Sequence, residues 1–338
     1  MEKIIINGFF GKGNCGDEAI LQTWVDNLSE KYKIVASIDS NLISCNNEYK
    51  KYDLYKEIDV IQNRRVDIFC QDDIKGYIIG GGGLGLGFGV EQWIHAILRD
   101  KKTFYLGTIV HDEFFDNEKI IEINKNFFNS FEMISVRDSI SQKNLKNIFN
   151  IESYFYPDIV FALKSEKIDL VYEDYITVTI RSSSVNDLEK TLIWLDKVKK
   201  FAKEKNYKII YLPFDKSDEL FMKNINLEIS YQSIYWFPKK TKYIIENSKM
   251  VFSLGRYHPL IFAMSSGVSC YYLECRSTNE IIKDKCYYLF EDFSVSENYL
   301  INTETNTQFI ENTKAFKDIQ KLVTSQMDDF FKKLNERL

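Results

Sequence analysis

Short β-branched apolar runs alternate with amphipathic helical stretches along this 338-residue chain, and the alternation runs through twice. Ile4–Ile6, Lys33–Ala36, Tyr77–Ile79, Phe104–Leu106 and Met133–Val136 have the unbroken apolar character of strands buried on both faces of a parallel sheet. Between them the spacing predicts helices over 17–30, 90–100, 118–129 and 138–148. The pattern restarts after Leu163, with a strand over Tyr175–Ile180, a helix over 186–205 and a strand over Lys208–Leu212. A strand over Met250–Leu254, a helix near 259–266 and a strand over Val268–Leu273 complete the second series. Two successive series of this kind imply an α/β fold of two Rossmann-like, doubly wound domains facing each other. The polar Lys164-Ser165-Glu166-Lys167 is the join, so the N-terminal domain is read as 1–165 and the C-terminal domain as 166–305. Residues 306–338 are expected to pack across the domains as one long helix over 308–337. Its apolar side is read as Phe309, Ile310, Phe316, Ile319, Leu322 and Val323.

Composition removes several classes of function. Lys and Arg total 44 against 49 Asp and Glu, a formal charge of -5, with no basic stretch, which argues against a nucleic-acid partner. Nowhere do about 18 apolar residues run together, as a membrane-spanning helix requires. The Ile4–Ile6 run is too short for the core of an export signal. Six scattered cysteines without a CxxC pair read as reduced thiols in a cytoplasm, with no structural metal.

Ligands of doubly wound sheets sit beyond the carboxyl ends of the strands, so motifs at strand ends are where chemistry is sought. The first strand runs into Gly8-Phe9-Phe10-Gly11-Lys12-Gly13-Asn14-Cys15-Gly16-Asp17-Glu18. Gly11, Gly13 and Gly16 satisfy GxGxxG, with Asp39 about twenty residues on. The inserted Gly8-Phe9-Phe10 and the acidic pair Asp17-Glu18 at the helix start argue against a dinucleotide site, because a pyrophosphate there needs amide donors without competing negative charge. Asp17 is then either a helix cap or a functional carboxylate. The third strand runs into Gly80–Gly89, which holds seven of the 15 glycines. It is read as bare backbone at Gly81, Gly82 and Gly83 approaching an anion or sugar, or else as a mobile interdomain loop. At Gly255-Arg256-Tyr257-His258-Pro259 a strand again meets a helix; Pro259 suits the first helical position, which makes His258 the cap. A helix start, an arginine and a histidine together form an anion site with a titratable group in it, unless the pair is structural. His95 and His111 read as structural.

Taken in order, these strand ends resemble the polysaccharide pyruvyl transferase family. Gly13-Asn14-Cys15-Gly16-Asp17-Glu18-Ala19-Ile20-Leu21 resembles its G-N-x-G-D-E-A-I-L signature, followed by the glycine run at 80–83. Ser135-Val136-Arg137-Asp138-Ser139-Ile140-Ser141 resembles S-V-R-D-x-x-S, Pro157–Leu163 resembles P-D-x-x-F-x-L, and Gly255–Pro259 resembles the G-R-x-H block. The resemblance spans about 4–275 and implies a fold similar to the two-Rossmann GT-B glycosyltransferases. It also implies transfer of a pyruvyl group from phosphoenolpyruvate to two sugar hydroxyls, closing a cyclic ketal and releasing phosphate, in making a capsule or exopolysaccharide. Arg137, His258 and, beside them, Asp17 fall in the implied site, and Asn14 belongs to the same signature. The chain departs from the family at Thr108–His111, in the Leu84–Gly89 tail and at Glu274-Cys275-Arg276. The resemblance implies a lysine at this last place, and Arg276 is the candidate to substitute for it as a phosphate contact.

The chemistry asks for these residue types. A carboxylate and a phosphate on one small donor suit paired guanidiniums, and Arg137 and Arg256 from the two domains are the candidates, with Arg181 adding charge. One acid and one base are needed; His258 is assigned the proton and Asp17 the base, or the reverse. No cofactor and no metal is called for. The implied partners are phosphoenolpyruvate and a glycan or lipid-linked sugar, with loose attachment at the inner membrane face and a homo-oligomer both left open. Arg137→Ala is expected to cost little stability, since a strand-end arginine in a cleft is not core. The rival readings are a GT-B-type glycosyltransferase using a nucleotide sugar, a nicotinamide oxidoreductase and a non-catalytic sugar-binding relative.

Overall fold

A computed structural model describes residues 1–39, 48–63, 65–82, 90–110, 118–185, 187–274, 285–301 and 308–338. They divide into two compact units. The first comprises Met1–Lys12, Asp17–Ile159 and Ser325–Leu338, the second Gly13–Gly16 and Val160–Thr324.

The first unit is built on seven parallel strands: β1 (Lys3–Asn7), β2 (Lys33–Ile38), β3 (Asp59–Gln62), β4 (Ile74–Gly80), β5 (Lys102–Thr108), β6 (Met133–Val136) and β7 (Tyr154–Phe155). Their order, β3-β2-β1-β4-β5-β6-β7, reverses direction at β1, where Ile5 pairs with Val35 on one side and Tyr77 on the other. Helices α1 (Cys15–Leu28), α2 (Val90–Leu98), α3 (Glu118–Asn129) and α4 (Ser139–Phe149) connect strands. Side chains of alternate strand residues, among them Ile5, Val35, Tyr77 and Tyr105, join Phe127, Phe128 and Phe149 in one core. β3 and β7 escape the apolar-run pattern because edge strands are short and half solvated; β3 has only Val60 and Ile61 as apolar residues.

The second unit carries five parallel strands: β8 (Tyr175–Ile180), β9 (Lys208–Tyr211), β10 (Val251–Leu254), β11 (Cys270–Leu273) and β12 (Tyr299–Leu300). Their order is β12-β11-β10-β8-β9, so this sheet reverses between β8 and β10, with Ile180 beside Leu254. Helix α5 (Leu188–Glu204) starts where Asp187 accepts the Lys190 N–H at 2.9 Å, and α6 (Lys216–Asn224) where Asp215 accepts the Asp218 N–H at 2.8 Å. Next come α7 (Pro238–Glu246), α8 (His258–Ser265) and α9 (Lys285–Asp292). The short α6 and α7 are announced by Asp215 and Pro238 rather than by an apolar stripe.

Two expectations are corrected. Tyr257, not His258, holds the cap position of α8, with helical φ −83 and ψ −50; His258 is the first helical residue and Pro259 the second. The last helix, α10 (Thr313–Arg337), begins five residues late because Asn312 accepts the Ala315 N–H. Phe309 lies outside it, against Phe252 at 4.8 Å and Tyr271 at 5.2 Å, while Ile310 and Leu322 are exposed. From Ser325 onward α10 belongs to the first unit, where Phe330 and Phe331 pack on Trp24.

Candidate active site

In the first unit, the carboxyl ends of β1 and β4 flank the reversal of the sheet, where such sheets take their ligands. Gly81 and Gly82 leave β4 with φ of +84 and +86, a conformation glycine adopts without steric cost. The Gly81 N–H donates to the Leu106 carbonyl at 2.8 Å, and a Cβ at Gly81 would collide with Ile20. A Cβ at Gly82 would stand 3.6 Å from Asp17 Oδ1, so the half-buried Asp17 carboxylate lies beside that backbone. Glu18 is spent on structure: buried, it accepts the Gly11 N–H at 3.0 Å and the Tyr55 hydroxyl. Burial, and then the Glu18 charge, push the Tyr55 phenol well above its usual range. Gly83 lies outside the described residues.

The segment Ser135–Ser141 turns out to be scaffolding around one guanidinium. Ser135 Oγ accepts the Gly107 N–H, Asp138 caps α4 by accepting the Ser141 N–H at 2.7 Å, and Ser141 Oγ accepts the Val110 N–H at 2.8 Å. Arg137 Nη1 meets Asp158 Oδ2 at 2.6 Å, and each side chain is only 1% exposed. This corrects the expectation of a cleft arginine outside the core. β7 and the following turn bring Asp158 onto it, so the cation is compensated inside the unit. Sequence reasoning passed over Asp158, although the Pro157-Asp158 motif was in view.

In the second unit, Gly13–Gly16 and the loop after β10 meet. A Cβ on Gly16 would fall 1.8 Å from His258 Nδ1, so the imidazole is seated directly on the glycine backbone. Gly13, at φ +69, is faced in the same way by the Trp236 indole. Asn14 Oδ1 accepts the Gly16 N–H at 3.2 Å, and the Cys15 N–H donates to the Phe214 carbonyl at 2.8 Å. Asn14 and His258, both singled out from sequence, therefore both meet Gly16, where a ring occupies the space a side chain would fill.

Arg256, expected to face the donor, is engaged by two carboxylates of its own unit. Its Nε donates to Asp218 Oδ2 at 2.7 Å and its Nη2 to Asp215, so two carboxylates balance its charge. Burial raises the Asp218 pKa despite Arg256. At Asp215 the upward push of burial is outweighed by Arg256, Ser217 and the Asp218 N–H, which hold the carboxyl low. Arg181, at the end of β8, is half-buried, and among the described residues its guanidinium has no hydrogen-bond or ion-pair partner. Its Cβ is 3.3 Å from where a Cβ on Gly255 would sit. Arg276 lies outside the described residues.

Two parallel sheets with connecting helices define an α/β chain of the GT-B-like class. The polysaccharide pyruvyl transferase model matches residues 14–277, and the chain belongs to that family. In fold it is similar to the UDP-GlcNAc 2-epimerase from Methanocaldococcus jannaschii, with 13% identity, 96% of this chain and 100% of that one covered, and a TM-score of 0.54. It is similar to the glycotransferase of kitacinnamycin, with 9% identity, 100% and 99% covered, and a TM-score of 0.54. A third likeness is to UGT2 of Phytolacca americana, complexed with UDP-2-fluoro-glucose and pterostilbene, with 11% identity, 98% and 94% covered, and a TM-score of 0.54. No curated protein matches the chain. Among the described residues no helix is long and apolar enough to cross a membrane.

Proposed function

We propose that this transferase moves a pyruvyl group from phosphoenolpyruvate to two hydroxyls of a sugar in a cell-surface polysaccharide precursor. A proton added to the methylene carbon converts it to a methyl group and leaves C2 cationic. One sugar hydroxyl attacks C2 and gives up its proton. The phosphate leaves with its bonding pair, and the second hydroxyl adds and loses its proton, closing the ketal. The sum is phosphoenolpyruvate plus diol giving ketal plus phosphate, and the balance needs no cofactor or metal.

His258 is the proposed proton donor and Asp17 the base for the attacking hydroxyl. Arg181 is the guanidinium proposed for the anionic donor, and Asn14 orders the turn that carries Gly16. The observation that carries this reading is the imidazole of His258 lying on Gly16, inside the signature of a pyruvyl transferase family. A ring held by backbone contact has a fixed position for proton transfer. The proposed setting is the cytoplasm, with the acceptor at the inner face of a membrane.

The test is phosphate release from phosphoenolpyruvate against a panel of free and lipid-linked glycans. His258→Gln should lower turnover by about 10²–10⁴ with donor affinity nearly intact. Wild-type turnover in that variant removes the proton-donor role. Consumption of a nucleotide sugar with indifference to phosphoenolpyruvate overturns the whole reading.

A further inference from the structure

We infer that the turn Arg181–Ser184, at the carboxyl end of β8, is a phosphate-binding subsite. The inference deepens the proposed function, on which it rests for the source of the phosphate, namely the donor's phosphoryl group. The chemistry itself would equally accept free inorganic phosphate.

Its position comes first. β8 and β10 flank the reversal in the five-stranded sheet, and the turn leaves β8 just there, the Arg181 N–H still donating to the Leu254 carbonyl at 2.8 Å. The construction comes second. Asp218, fully buried, accepts the Ser182 N–H at 3.0 Å through Oδ1, while its Oδ2 takes the Phe214 N–H and Arg256 Nε. Ser182 Oγ and Ser217 Oγ are 2.9 Å apart. Gly255, at φ +76, lets Ser184 and Arg181 close onto the end of β10, where any Cβ would strike Ser184. One buried carboxylate thus ties together the loops that follow β8, β9 and β10.

What the turn offers comes third. With its Ser182 amide and hydroxyl engaged, it still presents the Arg181 guanidinium and the hydroxyls of Ser183 and Ser184. Among the described residues none of these three groups has a hydrogen-bond partner. A delocalised cation with two hydroxyl donors matches the several acceptor oxygens of a phosphate dianion. The nearby charges do not cancel this: Arg256 lies between Asp215 and Asp218, leaving at most one net negative charge, and Asp218 is buried behind the turn.

The experiment titrates the full chain with inorganic phosphate by calorimetry and measures phosphoenolpyruvate kinetics beside it. Arg181→Ala should weaken phosphate binding by about tenfold to a hundredfold, and Ser184→Ala by roughly threefold to tenfold. Both side chains lie outside the core, so unfolding is not the expected confounder; Arg99→Ala, an exposed arginine, should bind phosphate as the wild type does. Equal phosphate affinity in Arg181→Ala and wild type overturns the subsite, as does absence of phosphate binding in the wild type. Phosphate binding that depends on Arg181, without any pyruvyl transfer, keeps the subsite and sinks the proposed reaction. Pyruvyl transfer with an unchanged KM for phosphoenolpyruvate in Arg181→Ala does the opposite.

Discussion

Gly16→Ala tests whether His258 acts from its seat on the glycine backbone. Gly16 is the second residue of α1, and its φ is not positive, so alanine is compatible with the backbone there. In this first turn helix propensity would favour the variant only by less than the interior value of about 1 kcal/mol. The added methyl carbon, however, would stand 1.8 Å from His258 Nδ1, against 3.4 Å for ordinary contact. The ring must therefore withdraw by about 1.6 Å, and misplacement of a reacting group by about 1 Å can already cost 10²-fold in rate. The expected result is a fall in turnover of about 10² or more, a destabilisation of no more than about 1–3 kcal/mol and unchanged far-ultraviolet circular dichroism. Phosphate release with phosphoenolpyruvate and an active acceptor reads the first, and urea unfolding the second. A Gly16→Ala enzyme with wild-type turnover would refute the claim that His258 acts from its seat on this glycine. A variant that unfolds instead would show the contact to be structural.

Arg137→Ala should destabilise the protein by about 3–5 kcal/mol, because it strips the buried Asp158 of its guanidinium. Urea unfolding of Arg137→Ala beside Arg137→Ala/Asp158→Asn checks this: the second change should recover much of the loss, and a wild-type midpoint in the single variant would refute it. Lys242 is buried on the Leu163 carbonyl, and burial lowers its pKa to about 8. The unfolded chain therefore binds more protons than the folded one between pH 8 and the ordinary lysine range, so stability rises with pH there. Relative to Lys242→Met, the wild type should gain roughly 2–3 kcal/mol from pH 7 to pH 10. A difference in stability that stays flat with pH would show that Lys242 keeps its charge.

Strand and helix positions were legible where the local pattern was strong. The helix over 118–129 and the strand over Tyr175–Ile180 fall where the periodicity puts them. Edge strands such as β3 and β7 were not legible, because a short, half-solvated strand has no continuous apolar run. The helix start at 258 was visible in Pro259, yet the cap went to Tyr257, because capping is decided by backbone angles and not by residue type alone. The roles of Asp158 and Asp218 were missed for a common reason: nothing in either stretch names the arginine, tens of residues away, that each carboxylate meets.

The sequence alone determined the class of the fold and the family. Periodicity and the glycine-bearing strand ends are local properties, and each element's buried face is set by the spacing of its own residues. Tertiary structure alone decided what the arginines do. A guanidinium carries the same charge in any sequence, but Asp158 is folded onto Arg137 and Asp215 and Asp218 onto Arg256, while among the described residues Arg181 meets no carboxylate. Whether a charge is spent inside the protein depends on which groups folding brings within reach, and that is a property of three-dimensional neighbours.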